Sequence, residues 1–319
     1  MIGISEIETA AGRIAGHVVR TPTAPSPGLS ALLGVPVTVK LELLQRTGSF
    51  KARGATAKLL SLDAAQRAAG VVAVSGGNHG IALAVMAAAL DVKATVVMPA
   101  SAPARSVEIA GATGASVRLT DGMAEAFATA ERLREEGLTL VHPFDDPVVI
   151  AGQGTVGLEL ARDAGELTDV LVSVGGGGLI AGIAAALRAL RPGVRVWGVE
   201  TAGAEAMSRA LAAGGPVPVD LSSVVTTLSA PSVSRLTYDH VAALVEEVLV
   251  VSDREAVRGC LELAEHAKVW TEPAAGCLLP AARRMRERIG PDARIGLVVC
   301  GGNATVADML DWAERFGVR

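Results

Sequence analysis

The chain has 319 residues, enough for one large or two medium domains with a substantial core. Half of its residues are hydrophobic but only 3% are aromatic, so the core must be built from Ala, Val, Leu and Ile, which suits tightly packed parallel α/β layers. A net charge of −4, from 29 basic and 33 acidic residues with no long basic run, argues against nucleic acid or an anionic membrane as partner.

Three cysteines (Cys260, Cys277 and Cys300), with no CxxC pair, are too few for a disulfide framework or a zinc ribbon, and a reducing cytoplasm is the expected compartment. The start, "MIGISEIETAAGRIAGH", has acids at Glu6 and Glu8 and no basic-then-apolar order, so it does not read as a signal peptide. The longest apolar run, Ile81 to Leu90, is well short of the roughly 20 residues of a membrane span.

In chain order, short β-branched runs alternate with Ala/Leu-rich stretches. Strands are predicted at 35–42, 70–74, 93–98, 116–120, 169–174, 194–200 and 294–300. Helices are predicted at 53–66, 78–90, 103–111, 122–136, 148–163, 178–190, 252–267 and 274–288. Strands separated by helices imply parallel sheets joined by crossovers. There is no internal repeat, and "GGPVPVDLSS" (214–223) is the nearest approach to a long loop. "HPFDDP" (142–147) reads as a crossing between two units. The expected division is a discontinuous large domain, 1–66 with 146–319, and a small mobile domain, 67–145. Two open α/β domains would leave a cleft where strand C-termini and helix N-termini face each other.

Three glycine-bearing turns each follow a predicted strand and open a helix: "SGGNHG" (75–80), "VGGGGLIAG" (174–182) and "CGGNAT" (300–305). Gly175, Gly176, Gly177 and Gly178 strip every Cβ from their loop, so backbone N–H groups can approach an anion at a helix N-terminus. Phosphate is the natural ligand; a tight strand–helix turn is the plain structural reading. No Lys-Ser/Thr pair follows, so this is not a P-loop. Earlier in the chain, "TGSFKARGA" (47–55) places Lys51 after small polar residues and an aromatic. An amine beside a phosphate cup and a polar Asn-His loop suits a cofactor aldehyde that needs a Schiff-base partner.

Taken together, "GSFKARGA", "SGGNHG", "HPFDDPVVIAGQGTVGLE", "GGGGLIAG", "EPAAG" and "CGGN" resemble, in order and over residues 48 to 303, the serine/threonine dehydratases of the fold-type II (tryptophan synthase β-like) pyridoxal phosphate enzymes. The resemblance implies two open parallel-sheet domains with the active site in the cleft between them. It makes Lys51 the Schiff-base residue and catalytic base. Phe50 would lie against the pyridine ring, Asn78 would bond the phenolic oxygen, and Gly175 to Gly178 would hold the phosphate. Cys300 would face the pyridine nitrogen and Glu272 the cofactor's edge. Ser75, Gly77, Asn78 and His79 would close over the substrate carboxylate. For His79 taken alone a capping or surface role is the favoured reading; for Glu272 a helix-start carboxylate reads equally well. A neutral thiol at 300 cannot keep the ring nitrogen protonated, which favours α,β-elimination over transamination.

The chain departs from the family pattern at several points. Racemases of the group have a serine as second acid/base where this chain has Gly76, so racemisation is not expected as the main activity. Ile81 stands where many relatives have glutamine. The family's divalent-cation ligands map to Glu200, Ala204 and Ala206, with Glu205 one residue out of place, so no metal is expected. "TTLSAPSVS" (226–234) matches the family's substrate-side loop, with Thr227 and Ser229 within possible reach of a substrate. A C-terminal regulatory domain is not expected, and a homodimer is implied by the resemblance alone. The expected reaction is loss of water from a β-hydroxy amino acid of the L-threonine/L-serine type, giving a 2-oxo acid and ammonia. β-Replacement, as in cysteine synthases, is disfavoured by Ala52 and His79; a non-catalytic cofactor or amino-acid binder stays open.

Overall fold

The computed structural model describes residues 1–318. Ten strands run in chain order: β1 Thr23–Pro25, β2 Val37–Leu41, β3 Val71–Val74, β4 Ala94–Pro99, β5 Ser116–Thr120, β6 Thr139–Leu140, β7 Asp169–Ser173, β8 Arg195–Thr201, β9 Glu247–Val251 and β10 Ile295–Val299. They form a six-stranded sheet, β1-β2-β10-β7-β8-β9, and a four-stranded sheet, β5-β4-β3-β6. The smaller sheet is drawn from one continuous stretch of chain; the larger takes strands from both sides of it. Neighbours are parallel throughout except for β1, which pairs antiparallel with β2. The result is α/β with two open, essentially parallel sheets, as the strand–helix alternation predicts.

The sequence reading did not include β1, β6 or β9, nor the helices Ile4–Ile14, Pro27–Leu33, Ala206–Ala213, Arg235–Leu244 and Val306–Phe316. Three long predicted helices are interrupted, among them 274–288, which is Pro273–Gly276 followed after Cys277 by Leu278–Arg286. The stretch 53–66 is Lys51–Ser61 followed by Ala64–Ala69, because Leu62 leaves helical backbone and Asp63 caps a new start by accepting from Gln66 N. The stretch 252–267 is helical to Glu262 and then widens into a π-turn, Leu263–Ala267, ended by Lys268 at positive φ.

The last strand of the chain, β10, lies between β2 and β7, with Ile295 level with both Val37 and Asp169. Both central strands β7 and β10 are buried along their whole length, as expected where helices cover both faces. This insertion brings residues 47–51 beside residues 300–303: Ser49 bridges to Gly301, and Phe50 N donates to the Cys300 carbonyl at 3.0 Å. Helix Pro147–Asp163 starts on Asp146, whose carboxylate accepts from Val148 N and Val149 N. It crosses helix Gly178–Leu190 at bare backbone: a Cβ on Gly182 would lie 2.5 Å from the Ile150 carbonyl oxygen. Among the described residues no helix is long and apolar enough to cross a membrane.

Candidate active site

Lys51 opens helix Lys51–Ser61 directly after the segment held on β10. Its Nζ donates to the Pro143 carbonyl at 3.0 Å and lies 5.0 Å from the centroid of the Phe50 ring. Burial lowers the amine's pKa to about 8, against a small opposing pull from Cys300. About a tenth of the amine is therefore unprotonated at pH 7, far more than for an ordinary lysine, and the unprotonated form is what a nucleophile or base requires.

The Asn78 loop reaches the same place from the smaller sheet, between β3 and helix Asn78–Ala89. Asn78 Nδ2 donates to Glu272 Oε1 at 2.7 Å, and Asn78 Oδ1 accepts from Asn303 Nδ2 at 2.7 Å. Glu272 Oε2 accepts from Asn303 N at 3.1 Å. Burial raises the Glu272 pKa, and the hydrogen bonds from Asn78, Asn303 and Thr227 oppose that rise. Ser75 Oγ accepts from Gly77 N. The His79 imidazole is buried, with Nε2 at 2.8 Å from the Val141 carbonyl, and burial pushes its pKa down to about 3. What His79 can offer a carboxylate is its main-chain N–H, in a first helical turn where N–H groups have no helical acceptor.

Gly175 to Gly178 join β7 to helix Gly178–Leu190. Gly177 has φ of +90°, a backbone that side chains rarely adopt. A Cβ on Gly176 would fall 2.1 Å from Phe144 Cδ1. The segment 142–144 thus touches both halves of the site, with the Pro143 carbonyl on Lys51 and the Phe144 ring on the glycine turn. Cys300, whose carbonyl accepts from Phe50 N, is buried, its Sγ is 3.9 Å from Ser173 Oγ, and burial lifts its pKa well above that of a free thiol.

Three other positions have local partners. Ser229 Oγ donates to the Val225 carbonyl within its own turn at 3.3 Å. Thr227 lies at the Asn78 loop, its methyl 3.7 Å from the position of a Cβ on Gly77. Glu200 accepts from Met207 N, Ser208 N and Ser208 Oγ, and burial raises its pKa to about 7; it acts as a cap for helix Ala206–Ala213. Glu205 precedes that helix instead of lying within it, and pairs with Arg209 at 2.8 Å.

The residues present fit a phosphorylated aldehyde. The glycine turn has no room for a side chain on Gly176 beside the Phe144 ring and little on Gly175, where a Cβ would lie 3.0 Å from the Leu228 carbonyl oxygen, and it presents backbone at a helix N-terminus. Among the described residues the Lys51 amine has only a backbone carbonyl as partner, and Thr47 Oγ1 and Ser49 Oγ are buried without partners. Phe144 and Asn303 were not assigned roles by sequence reasoning, although both sit in quoted motifs, because only the fold shows what they touch.

The family model described as "Pyridoxal-phosphate dependent enzyme" matches residues 14–301. The chain is 38% identical to a phenylserine dehydratase of Ralstonia pickettii, over 99% of this chain and 96% of the relative. It is 39% identical to an L-threonine ammonia-lyase of Geobacter sulfurreducens, over 99% of this chain and 79% of the relative. Among solved structures, maize serine racemase superposes with a TM-score of 0.92 at 33% identity, covering 98% of this chain and 97% of the other. With the lysine, the bare glycine turn and the thiol converging on one cleft, these similarities lead to one conclusion: the chain belongs to the pyridoxal-phosphate-dependent enzymes, and pyridoxal 5'-phosphate is its cofactor.

Proposed function

We propose that the protein is an ammonia-lyase that removes water from a β-hydroxy amino acid, giving a 2-oxo acid and ammonia. The observation that carries this reading is the buried, partly unprotonated Lys51 amine in a cleft that also holds a neutral thiol, Cys300. Lys51 would hold the cofactor, Gly175 to Gly178 its phosphate, Asn78 its phenolic oxygen and Cys300 its ring nitrogen, with Phe50 and Glu272 beside it. When bound, the cofactor draws electrons from the substrate's α-carbon and so lowers the cost of removing the proton there.

Every other contribution comes from the chain. Ser75 and the main-chain N–H groups of Gly77, Asn78 and His79 orient the substrate carboxylate. Lys51 takes the α-proton, and the β-hydroxyl leaves with a proton as water. The released enamine adds one water and loses ammonia to become the 2-oxo acid, so the net reaction consumes no further reactant. We assign the Asn78 loop to a small unit, 67–145, whose closure on 1–66 with 146–319 excludes water from the cleft.

Racemisation is the second reading, since relatives include serine racemases. It needs a proton donor on the opposite face, and Gly76 has none; a Cβ there would lie 2.8 Å from Ala102 Cβ. The test is a panel of β-hydroxy amino acids given to the cofactor-loaded protein. L-Threonine, L-serine or threo-phenylserine should yield equal ammonia and 2-oxo acid, and Lys51→Ala should reduce the rate by about a thousandfold. Inversion of configuration without ammonia would replace elimination by racemisation. Full activity in Lys51→Ala would remove that residue as the base.

A further inference from the structure

Asn303 ends the "CGGN" stretch, and its side-chain amide joins two loops of the site. Its Nδ2 donates to the Thr47 carbonyl at 2.9 Å and to Asn78 Oδ1 at 2.7 Å. A backbone carbonyl can only accept, so the Thr47 contact fixes which end of the Asn303 amide is nitrogen. That choice passes on. Asn78 must turn its oxygen toward Asn303 and its nitrogen toward Glu272, where one Nδ2 proton is given to Oε1. The second Nδ2 proton of Asn78 has no acceptor among the described residues. The opposite orientation would set Asn78 oxygen against the Glu272 carboxyl and two NH2 groups against each other. Gly48 makes this arrangement possible: it has φ of +71°, and a Cβ there would lie 2.3 Å from Asn303 Oδ1.

We infer that Asn303 is a positioning residue that sets the polarity of the Asn78 amide, so that Asn78 presents an N–H and not a carbonyl to the cofactor's phenolic oxygen. This rests on the assignment of Asn78 to that oxygen. A donor there stabilises the ionised oxygen and so tunes the chromophore, whereas a carbonyl would repel it. Glu272, anchored on Asn303 N, completes the chain of fixed polarity from Thr47 through Asn303 and Asn78.

The experiment uses the cofactor-loaded protein and follows its visible absorption against pH, with its melting temperature. Asn303→Asp keeps shape but reverses polarity: Asn78 must flip to donate to the new carboxylate and then shows its oxygen to the cleft. The visible band should shift, its pH titration should move by about one unit or more, and kcat should fall more than tenfold. Asn303→Ala, which removes the anchor without reversing it, should give a smaller shift. Adding Glu272→Gln to Asn303→Asp supplies a donor for the flipped Asn78 oxygen, so the melting temperature should recover while the altered titration persists. If both single variants only weaken cofactor binding and leave band and titration unmoved, Asn303 merely ties loops together and the inference is wrong. A wild-type protein that shows no visible band on loading would overturn both this inference and the cofactor assignments beneath it.

Discussion

At the scale of single residues, burial moves the basic groups around Lys51 toward their neutral forms. Lys51 and His79 are both pushed toward their neutral forms by burial, and the positive field of Lys51 adds to the effect on His79. With Nε2–H given to the Val141 carbonyl, the Nδ1 lone pair of His79 is left without a partner, so protonation there would bury a charge with nothing to meet it. The consequence for stability has a definite sign. The folded-state pKa is about 3, below the 6.5 of a free imidazole, so the unfolded chain binds the extra proton first. His79 therefore favours the folded state fully above about pH 6.5, and that contribution is lost as pH falls, by about 1.4 kcal/mol per unit, until about pH 3. His142 is shifted the same way, chiefly by burial, so the informative quantity is a difference between proteins. His79→Gln keeps a donor for Val141 but cannot titrate. Urea unfolding between pH 7 and pH 4 should show a flatter loss of stability in this variant; parallel curves would mean His79 is not held neutral.

At the scale of elements, the helix that begins at Lys51 is pinned by a buried ion cluster two residues further on. Arg53 makes paired contacts to Glu42 at 2.8 Å and to Glu159 at 2.7 and 2.9 Å, and Lys40 reaches Glu159 at 2.5 Å. Two cations thus face two carboxylates among β2, the turn after it and helices Lys51–Ser61 and Pro147–Asp163. Burial alone would raise the Glu159 pKa, but Arg53 and Lys40 overcome it and hold the carboxyl below the usual range. Its stabilising contribution is therefore present above about pH 4.5 and is lost as pH falls through the lower folded value. Glu159→Gln would leave two buried cations against one carboxylate, and should cost about 3–5 kcal/mol at pH 7, less near pH 3. Chemical denaturation at the two pH values measures this, and an equal cost at both would show that the charge is not what matters. The sequence signals were strongest where one element type repeats cleanly. β7 and β10 are apolar strands followed by glycine turns, and both were legible. β1 and β6 have three and two residues and are too short for a period to show. β9 is half-exposed at four of its five positions, so its burial leaves little alternation to read.

At the scale of the whole molecule, the motifs along the chain named the lysine, the asparagine loop and the glycine turn, but not how they meet. Their meeting depends on β10 entering between β2 and β7, a long-range pairing that no local pattern encodes. For the same reason the contacts of Phe144 and Asn303 were out of reach, as was the bond of the His79 ring to the Val141 carbonyl. Lys51 and Gly175 to Gly178 belong to the larger sheet's part of the chain, whereas Asn78 comes from the smaller. On the proposed assignment a cofactor held by all of them would bind only when both parts are folded and docked, so its binding energy should stabilise the molecule as a unit. At a free cofactor concentration of about 100 Kd that gain is about 2.7 kcal/mol, which for a chain of this size corresponds to about 4 °C in Tm. Calorimetry should show the loaded protein melting later than the stripped one, in a single transition. Gly176→Ala tests where the phosphate sits. Its new Cβ would lie 2.1 Å from the Phe144 ring, so the ring or the turn must move and the cup loses its shape. The variant should then keep most of its stripped-state Tm yet lose most of the gain on loading. An undiminished gain would mean that the anion is bound somewhere other than the glycine turn, and the assignment of Gly175 to Gly178 would have to be given up.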